Sequence, residues 1–253
     1  MLSAHHLAIG YAKRGIATDI SLQLKAGEAV AVLGANGCGK TTLFRTLLGL
    51  LPALAGEVRL NGKPIAQLTA AEIARSIAYV PQAGNVFFNF SVLEVVEMAR
   101  TPHLAWYTQP GNADRKIAGR ALDELGMAAL AGRTFATLSG GERQLVLIAR
   151  ALAAEAPVIL LDEPTASLDF GNQFLILDEI AKLVARGRSV LFTTHNPDHA
   201  FRIAKRTMTI SREGNIHSGA TAEILNSKSL TALYGISVQL IDGPGGILTT
   251  VNK

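Results

Sequence analysis

Gly34, Gly37, Gly39, Lys40 and Thr41 are the residues whose types and spacing most directly imply chemistry. They sit in Gly34-Ala35-Asn36-Gly37-Cys38-Gly39-Lys40-Thr41, which matches the phosphate-binding pattern G-x-x-x-x-G-K-[ST]. Glycines let the backbone curl until its N–H groups point inward at a phosphate chain. A helix starting near Lys40 adds the positive end of its dipole. The Lys40 ammonium can reach β- and γ-phosphates, and the Thr41 hydroxyl can ligate Mg²⁺. A second candidate is Val158-Ile159-Leu160-Leu161-Asp162-Glu163, an apolar run ending in two acids. Asp162 is placed to hold Mg²⁺, and Glu163 to polarise an attacking water. Ligands gather at strand C-termini in parallel sheets, so the two features support each other.

The elements that must position these residues follow from the pattern. Ala29 to Leu33 reads as a buried strand and Thr42 to Leu51 as the helix after the loop. Leu2 to Tyr11 and Ile16 to Lys25 read as strands, the second alternating Ile20, Leu22 and Leu24 against polar neighbours. Gly56 to Asn61 is a further strand, so the N-terminal part should pair antiparallel. Thr69 to Arg75 reads as a short helix and Ser76 to Pro81 as a strand, followed by an irregular run from Ala83 to Phe90. Ser91 with Glu94 three residues later is a capping box, and 112–125 and 141–153 are amphipathic helices. A helix over 172–185 and strands over 189–193, 207–210 and 215–218 follow. Short helices over 222–225 and 230–234 and strands over 238–240 and 247–251 close the chain. Strands alternating with helices argue for a mainly parallel sheet.

Composition narrows the class. The chain has 253 residues, enough for one large domain with a core. No window reaches the ~18 uninterrupted apolar residues that a membrane span needs, and no secretory signal opens the sequence. A cytosolic chain, membrane-associated only through a partner, is the expectation. Cys38 is the one cysteine, so no intrachain disulfide forms. The net charge is +4, and Arg59, Arg75, Arg100 and Arg120 are scattered. They read as solvated surface rather than a nucleic-acid footprint.

Leu138-Ser139-Gly140-Gly141-Glu142 resembles the LSGGQ signature of the ATP-binding cassette (ABC) family. Two glycines allow close backbone approach, Ser139 offers a hydroxyl, and a helix starts there with free N–H groups. The resemblance covers essentially the whole chain. It implies an α/β fold: a P-loop NTPase (RecA-like) core over 1–82 and 156–253, with an N-terminal antiparallel β-subdomain and an inserted α-helical subdomain over 83–155. The implied nucleotide-binding set is Tyr11, Gly34, Asn36, Gly37, Cys38, Gly39, Lys40, Thr41, Thr42, Ser139, Gly140 and Gly141, with Tyr11 stacking on adenine. Gln82, Glu163 and His195 are the implied catalytic residues; Thr41, Gln82 and Asp162 hold Mg²⁺. Ser139, Gly141 and Asp169 (in Ser167-Leu168-Asp169) would lie at the interface of a head-to-tail homodimer around two ATP molecules. Cys38 stands where the family commonly has Ala or Ser, and Glu142 where it has Gln. The first is either a small side chain that merely fits or a thiol whose alkylation would block turnover, with ATP protecting. The second puts an acid near a triphosphate.

Within the family, Val86 to Leu104, Leu168 to Gln173, Thr194 to Ala200 and Leu230 to Gly235 are similar to importers of iron–siderophore, haem, cobalamin and, in a close branch, molybdate. Ala99 departs from that group's Gly. The resemblance implies two integral membrane permease subunits, a separate substrate-binding protein and a place on the cytoplasmic face of the inner or plasma membrane. Phe87, Phe88 and Phe90 are candidates for the permease contact, or else for the core of the helical subdomain. An oxyanion importer and, less well supported, a soluble non-transport ABC ATPase are the alternatives; the short insertion lacks the sustained heptads of the chromosome-maintenance proteins.

Overall fold

The structure is a computed structural model describing all residues except 13, 83–88, 106, 244–245 and 252–253. Contacts divide the chain into two compact units, Met1–Leu68 with Ile180–Lys253, and Thr69–Glu179.

In the first unit, β1 (Leu2–Tyr11) and β2 (Arg14–Leu24) pair antiparallel, from Leu2 opposite Leu24 to Tyr11 opposite Arg14. Ile20, Leu22 and Leu24 are buried while Ser21 and Gln23 are exposed, as the period of two requires. β1 breaks its own alternation: the register shifts between Ala4 and Leu7, where His6 takes φ 46°. β3 (Ala29–Leu33) is buried at every position. α1 (Lys40–Leu47) starts at Lys40, as the dipole argument requires, two residues before the apolar run from Thr42. It also ends earlier, because Gly49 at φ 69° turns the chain out of the helix. β4 (Ala55–Leu60) pairs antiparallel with β1, and β5 (Lys63–Pro64) with β4, giving the sheet order β2-β1-β4-β5.

The second unit begins with α2 (Ala70–Ser76), capped reciprocally by Thr69 and Glu72. β6 (Ile77–Val80) runs parallel to β7 (Val158–Leu161). Between them come α3 (Val92–Glu97), α4 (Asn112–Glu124) and α5 (Gly140–Ala153). The Ser91–Glu94 capping box forms as expected, Ser91 N–H donating to Glu94 Oε2 at 2.7 Å. Val92, Val96, Ala118, Leu122, Val146 and Ile148 fill the core of this unit. Arg100 is not surface: only 6% exposed, its guanidinium donates to Asp114, Glu155 and the Ala153 carbonyl. α6 (Phe170–Ala185) carries the chain back across the boundary between the units.

β8 (Ser189–Thr194) returns to the first unit, followed by α7 (Pro197–Ile203), β9 (Arg206–Ile210) and β10 (Ile216–Ala220). β3 lies between β8 and β9 and is parallel to both; β10 is antiparallel to β9. α7 is an element that hydrophobic periodicity does not reveal. Its signal is chemical: Asn196 Oδ1 caps Asp198 N–H at 2.9 Å, and Pro197 occupies the first helical position. The end of the described chain is α8 (Thr221–Ile224), α9 (Ser227–Tyr234) and a hairpin of β11 (Val238–Gly243) and β12 (Gly246–Val251). No helix among the described residues is long and apolar enough to cross a membrane.

Candidate functional site

The phosphate loop leaves β3 in the first unit and enters α1. Gly39 holds φ 108°, and a Cβ there would meet Ile16 Cγ2 at 2.5 Å, so the turn into α1 requires glycine. Lys40 is buried, its ammonium donating to the carbonyls of Gly34 at 2.7 Å and Ala35 at 3.1 Å. The cation is thus folded back over the loop, the arrangement from which a phosphate can draw it. Asn36, Gly37 and Thr41 are exposed, and Thr42 is buried. Tyr11 presents a half-exposed ring; the Thr42 hydroxyl, and after it Arg45, hold its phenol below the ordinary value. Arg45 Nη1 reaches the Tyr11 hydroxyl at 3.3 Å, an anchor for the ring that the sequence pattern does not reveal.

Cys38 is buried, and its sulfur fills the space beside Gly34: a Cβ on Gly34 would come within 2.5 Å of Sγ and 2.6 Å of the Ile210 carbonyl oxygen. The thiol is therefore a packing group rather than a reactive face of the loop. Iodoacetamide should modify the native chain at less than about a tenth of the rate seen in denaturant, since only an exposed thiolate reacts. Mass spectrometry of the alkylated chain checks this, and equal rates would contradict it.

Leu33 lies opposite Thr194 on β8, and Gly34 N–H donates to the Thr194 carbonyl at 3.3 Å. The loop and the exposed His195 therefore leave adjacent parallel strands at the same end. In the second unit the same construction recurs. Val80 lies opposite Leu161, so Gln82 and the Asp162-Glu163 pair follow neighbouring strand ends. Asp162 is 1% exposed; its N–H donates to the Val80 carbonyl at 2.9 Å, and Tyr79 Oη donates to its carboxylate at 3.4 Å. Glu163 takes φ 46°, a left-handed conformation for a residue with a Cβ. Strained backbone of this kind persists where the surroundings over-determine it and clusters at functional sites.

Ser139 to Glu142 form the first turn of α5. Ser139 N–H donates to Glu142 Oε2 at 2.8 Å, and Glu142 N–H to Ser139 Oγ at 3.3 Å. The Ser139 N–H, then its hydroxyl, hold the Glu142 carboxyl below its usual range, with Arg133 adding a smaller pull. Gly141 has a structural duty of its own. A Cβ there would lie 2.6 Å from Asn172 Oδ1, and Asn172 in turn donates to both Asp169 oxygens, at 2.9 and 2.7 Å. The signature and Ser167-Leu168-Asp169 are thus held together within this unit, Asp169 serving as the cap of α6. Phe90 is 40% exposed; Phe87 and Phe88 lie outside the described residues.

A family model described as ABC transporter matches residues 17–166. The chain belongs to the ABC transporter family. This ABC ATPase is 40% identical over 235 residues to the molybdate import ATP-binding protein MolC of Haemophilus influenzae, covering 92% of this chain and 87% of that one. It is 35% identical over 244 residues to the iron(3+)-hydroxamate import ATP-binding protein FhuC of Bacillus subtilis, covering 96% and 91%. Among solved structures, a metal-chelate type ABC transporter in an inward-facing conformation matches with a TM-score of 0.87 at 36% identity, covering 99% of this chain and 96% of that one. A dimeric post-hydrolysis ATP-binding cassette bound to ADP and Pi matches with a TM-score of 0.74 at 27% identity, covering 87% and 99%. The α/β cassette fold and the ATP-binding role expected from the motifs are those of the family, whose ATP-binding subunits are ATPases coupled to transport.

Proposed function

We propose that this chain is the ATP-hydrolysing subunit of a bacterial importer for a metal chelate, such as iron–siderophore, haem or cobalamin. The observation that carries the reading is that one chain has two glycine-containing helix starts of the kind that can bind phosphate, the loop at 34–41 and the capped start of α5 at 139–142. A single nucleotide site needs only one of them. Two copies placed head to tail would use both, each loop facing the other copy's Ser139 to Gly141. The FhuC and metal-chelate matches support the chelate; the MolC match supports a second reading, an oxyanion such as molybdate.

Each residue then has a task. Lys40 and the N–H groups from Asn36 to Thr42 take the phosphates, and Tyr11 offers a face to adenine. In this reading Thr41 of the first unit offers a hydroxyl, and Gln82 and the buried Asp162 of the second an amide oxygen and a carboxylate, each a hard oxygen of the kind Mg²⁺ takes. Mg²⁺ bound there would neutralise phosphate charge. Glu163 accepts the proton of the attacking water, and His195 and Gln82 contact the γ-phosphate. Closure of the dimer on the cytoplasmic face of the membrane, with Asp169 crossing the interface, drives two integral permease subunits between inward-open and outward-open states; a separate binding protein delivers the cargo.

Uptake of ferric siderophore, haem, cobalamin and molybdate in cells lacking this gene tests the assignment. Loss of one chelate supports the first reading and loss of molybdate the second; undiminished uptake of all four overturns import of these cargoes. Glu142 gives a finer expectation. A unit charge about 4 Å from another in water is worth about 1 kcal/mol, roughly fivefold in an equilibrium constant. Glu142→Gln should therefore lower the ATP concentration for half-maximal dimer formation by about that factor. Light scattering during an ATP titration checks it, and an unchanged midpoint would show that the carboxylate does not oppose the triphosphate.

A further inference from the structure

His195 leaves β8 on a two-residue bridge to α7, and the end of the described chain grips the bridge at one point and the first turn of α7 at another. Tyr234, at the end of α9, donates its hydroxyl to the His195 carbonyl at 2.7 Å. On β12, Thr249 donates through both N–H and Oγ1 to Asp198 Oδ1, each at 2.9 Å. The two grips are connected, because Val238 N–H at the start of β11 donates to Thr231 Oγ1 on α9 at 3.0 Å. Beneath the bridge lies His199, only 7% exposed. Its ring nitrogens meet Thr194 Oγ1 at 3.1 Å and Asn196 Nδ2 at 3.2 Å. Asn196 Oδ1 already accepts from Asp198 N–H, so Nδ2 must donate, which makes His199 Nε2 the acceptor and Nδ1 the donor to Thr194. Burial, and after it the nearby His195, push His199 down to about 4, against a partial opposing pull from Asp198. His199 is thus a neutral strut beneath a loop whose backbone is held at the His195 carbonyl.

We propose that Tyr234 is a positioning residue for His195, acting through the carbonyl rather than the imidazole. This rests on the reading of His195 as the residue that contacts the γ-phosphate. A carbonyl held by a short hydrogen bond fixes the peptide plane that follows His195, and with it ψ and the direction of the Cα–Cβ bond. Displacement of a catalytic group by about 1 Å costs on the order of 100-fold in rate. A loosened plane costs part of that. Tyr234 thereby makes the terminal α9–hairpin segment part of the hydrolytic machinery, although it carries none of the cassette motifs.

The test is Tyr234→Phe, which removes only the hydroxyl, measured beside His195→Ala and the double variant. ATP turnover by Tyr234→Phe should fall about fivefold to tenfold, with ATP affinity and KM within about twofold of the parent. In the His195→Ala background the same change should have no further effect. The ring proton resonances of His195, followed by NMR in the ATP-free protein, should move in Tyr234→Phe. If His195→Ala retains the parent rate, the assignment of His195 itself fails. If His195→Ala loses turnover while Tyr234→Phe keeps the parent rate and the parent ring resonances, the positioning role is overturned and His195 stands. A parallel loss of ATP affinity in Tyr234→Phe would likewise overturn it, because it would mark a general loosening of the fold.

Discussion

Glu163→Gln should lower ATP turnover by about 100-fold to 10,000-fold, the range for loss of a general base, while ATP affinity stays within about twofold. The substitution keeps shape and hydrogen-bonding reach but leaves an amide that cannot accept the proton of the attacking water. The backbone geometry at position 163 is compatible with this proposed duty. Asp162 is anchored inside the fold through Val80 and Tyr79, so the next residue leaves the end of β7 from a fixed point. Its φ of 46° turns the side chain away from the direction a continuing strand would give, and Ala166 N–H donating to its carbonyl at 3.0 Å holds that turn. A left-handed residue of this kind costs about 1–3 kcal/mol, which Gln bears as Glu does, so the variant should remain folded. Phosphate release and calorimetric ATP binding, measured on the same preparation, separate the two effects. Turnover at the parent rate would remove Glu163 from its role.

Arg100→Leu should destabilise the protein by about 3–5 kcal/mol, the usual consequence of removing one partner from a buried ionic group. For a chain of this size that corresponds to a fall in the thermal midpoint of roughly 6–20 °C. Arg100 Nε lies 3.1 Å from Asp114 Oδ1, and Nη1 lies 2.8 Å from both Glu155 Oε2 and the Ala153 carbonyl. The cation therefore joins the turn after α3, the first turn of α4 and the end of α5. Leucine would leave the Asp114 carboxylate with the Gly111 N–H, the larger cause of its lowered pKa, but without its counter-charge. The double variant Arg100→Leu/Asp114→Leu should recover part of the loss, since an apolar pair of similar volume removes the orphaned charge. Calorimetric scans of the three proteins check this, and a single variant as stable as its parent would contradict it.

Much of the site was legible before any coordinates, because its chemistry depends on local spacing. The phosphate loop, the capped start of α5, the acids after β7 and the histidine after β8 are each set by residues within about one turn or strand of one another, the range over which sequence patterns act. The strands and most helices were legible for the same reason. What was missed depends on partners distant in sequence. Arg100 reads as one more scattered base until α4 and α5 close around it. Cys38 reads either as a reactive thiol or as a small side chain that merely fits, and the choice between them waits on Gly34 and Ile210 against it. Tyr234 and His195 are 39 residues apart, and no local pattern announces their hydrogen bond. α7 is the exception, since Asn196-Pro197 is a start signal that apolar periodicity over so short a helix does not support.

The measurement that bears most directly on the proposed mechanism is the molar mass of Glu163→Gln by gel filtration with light scattering, with and without ATP and Mg²⁺. In the proposed function, the loop at 34–41 and the capped start of α5 have a common purpose only if two chains close around two nucleotides. The expected result is a monomer without nucleotide and a dimer with ATP–Mg²⁺, abolished by a further Ser139→Arg change at the start of α5. A variant that binds ATP yet remains monomeric at every concentration would contradict an ATP-driven sandwich formed by this chain.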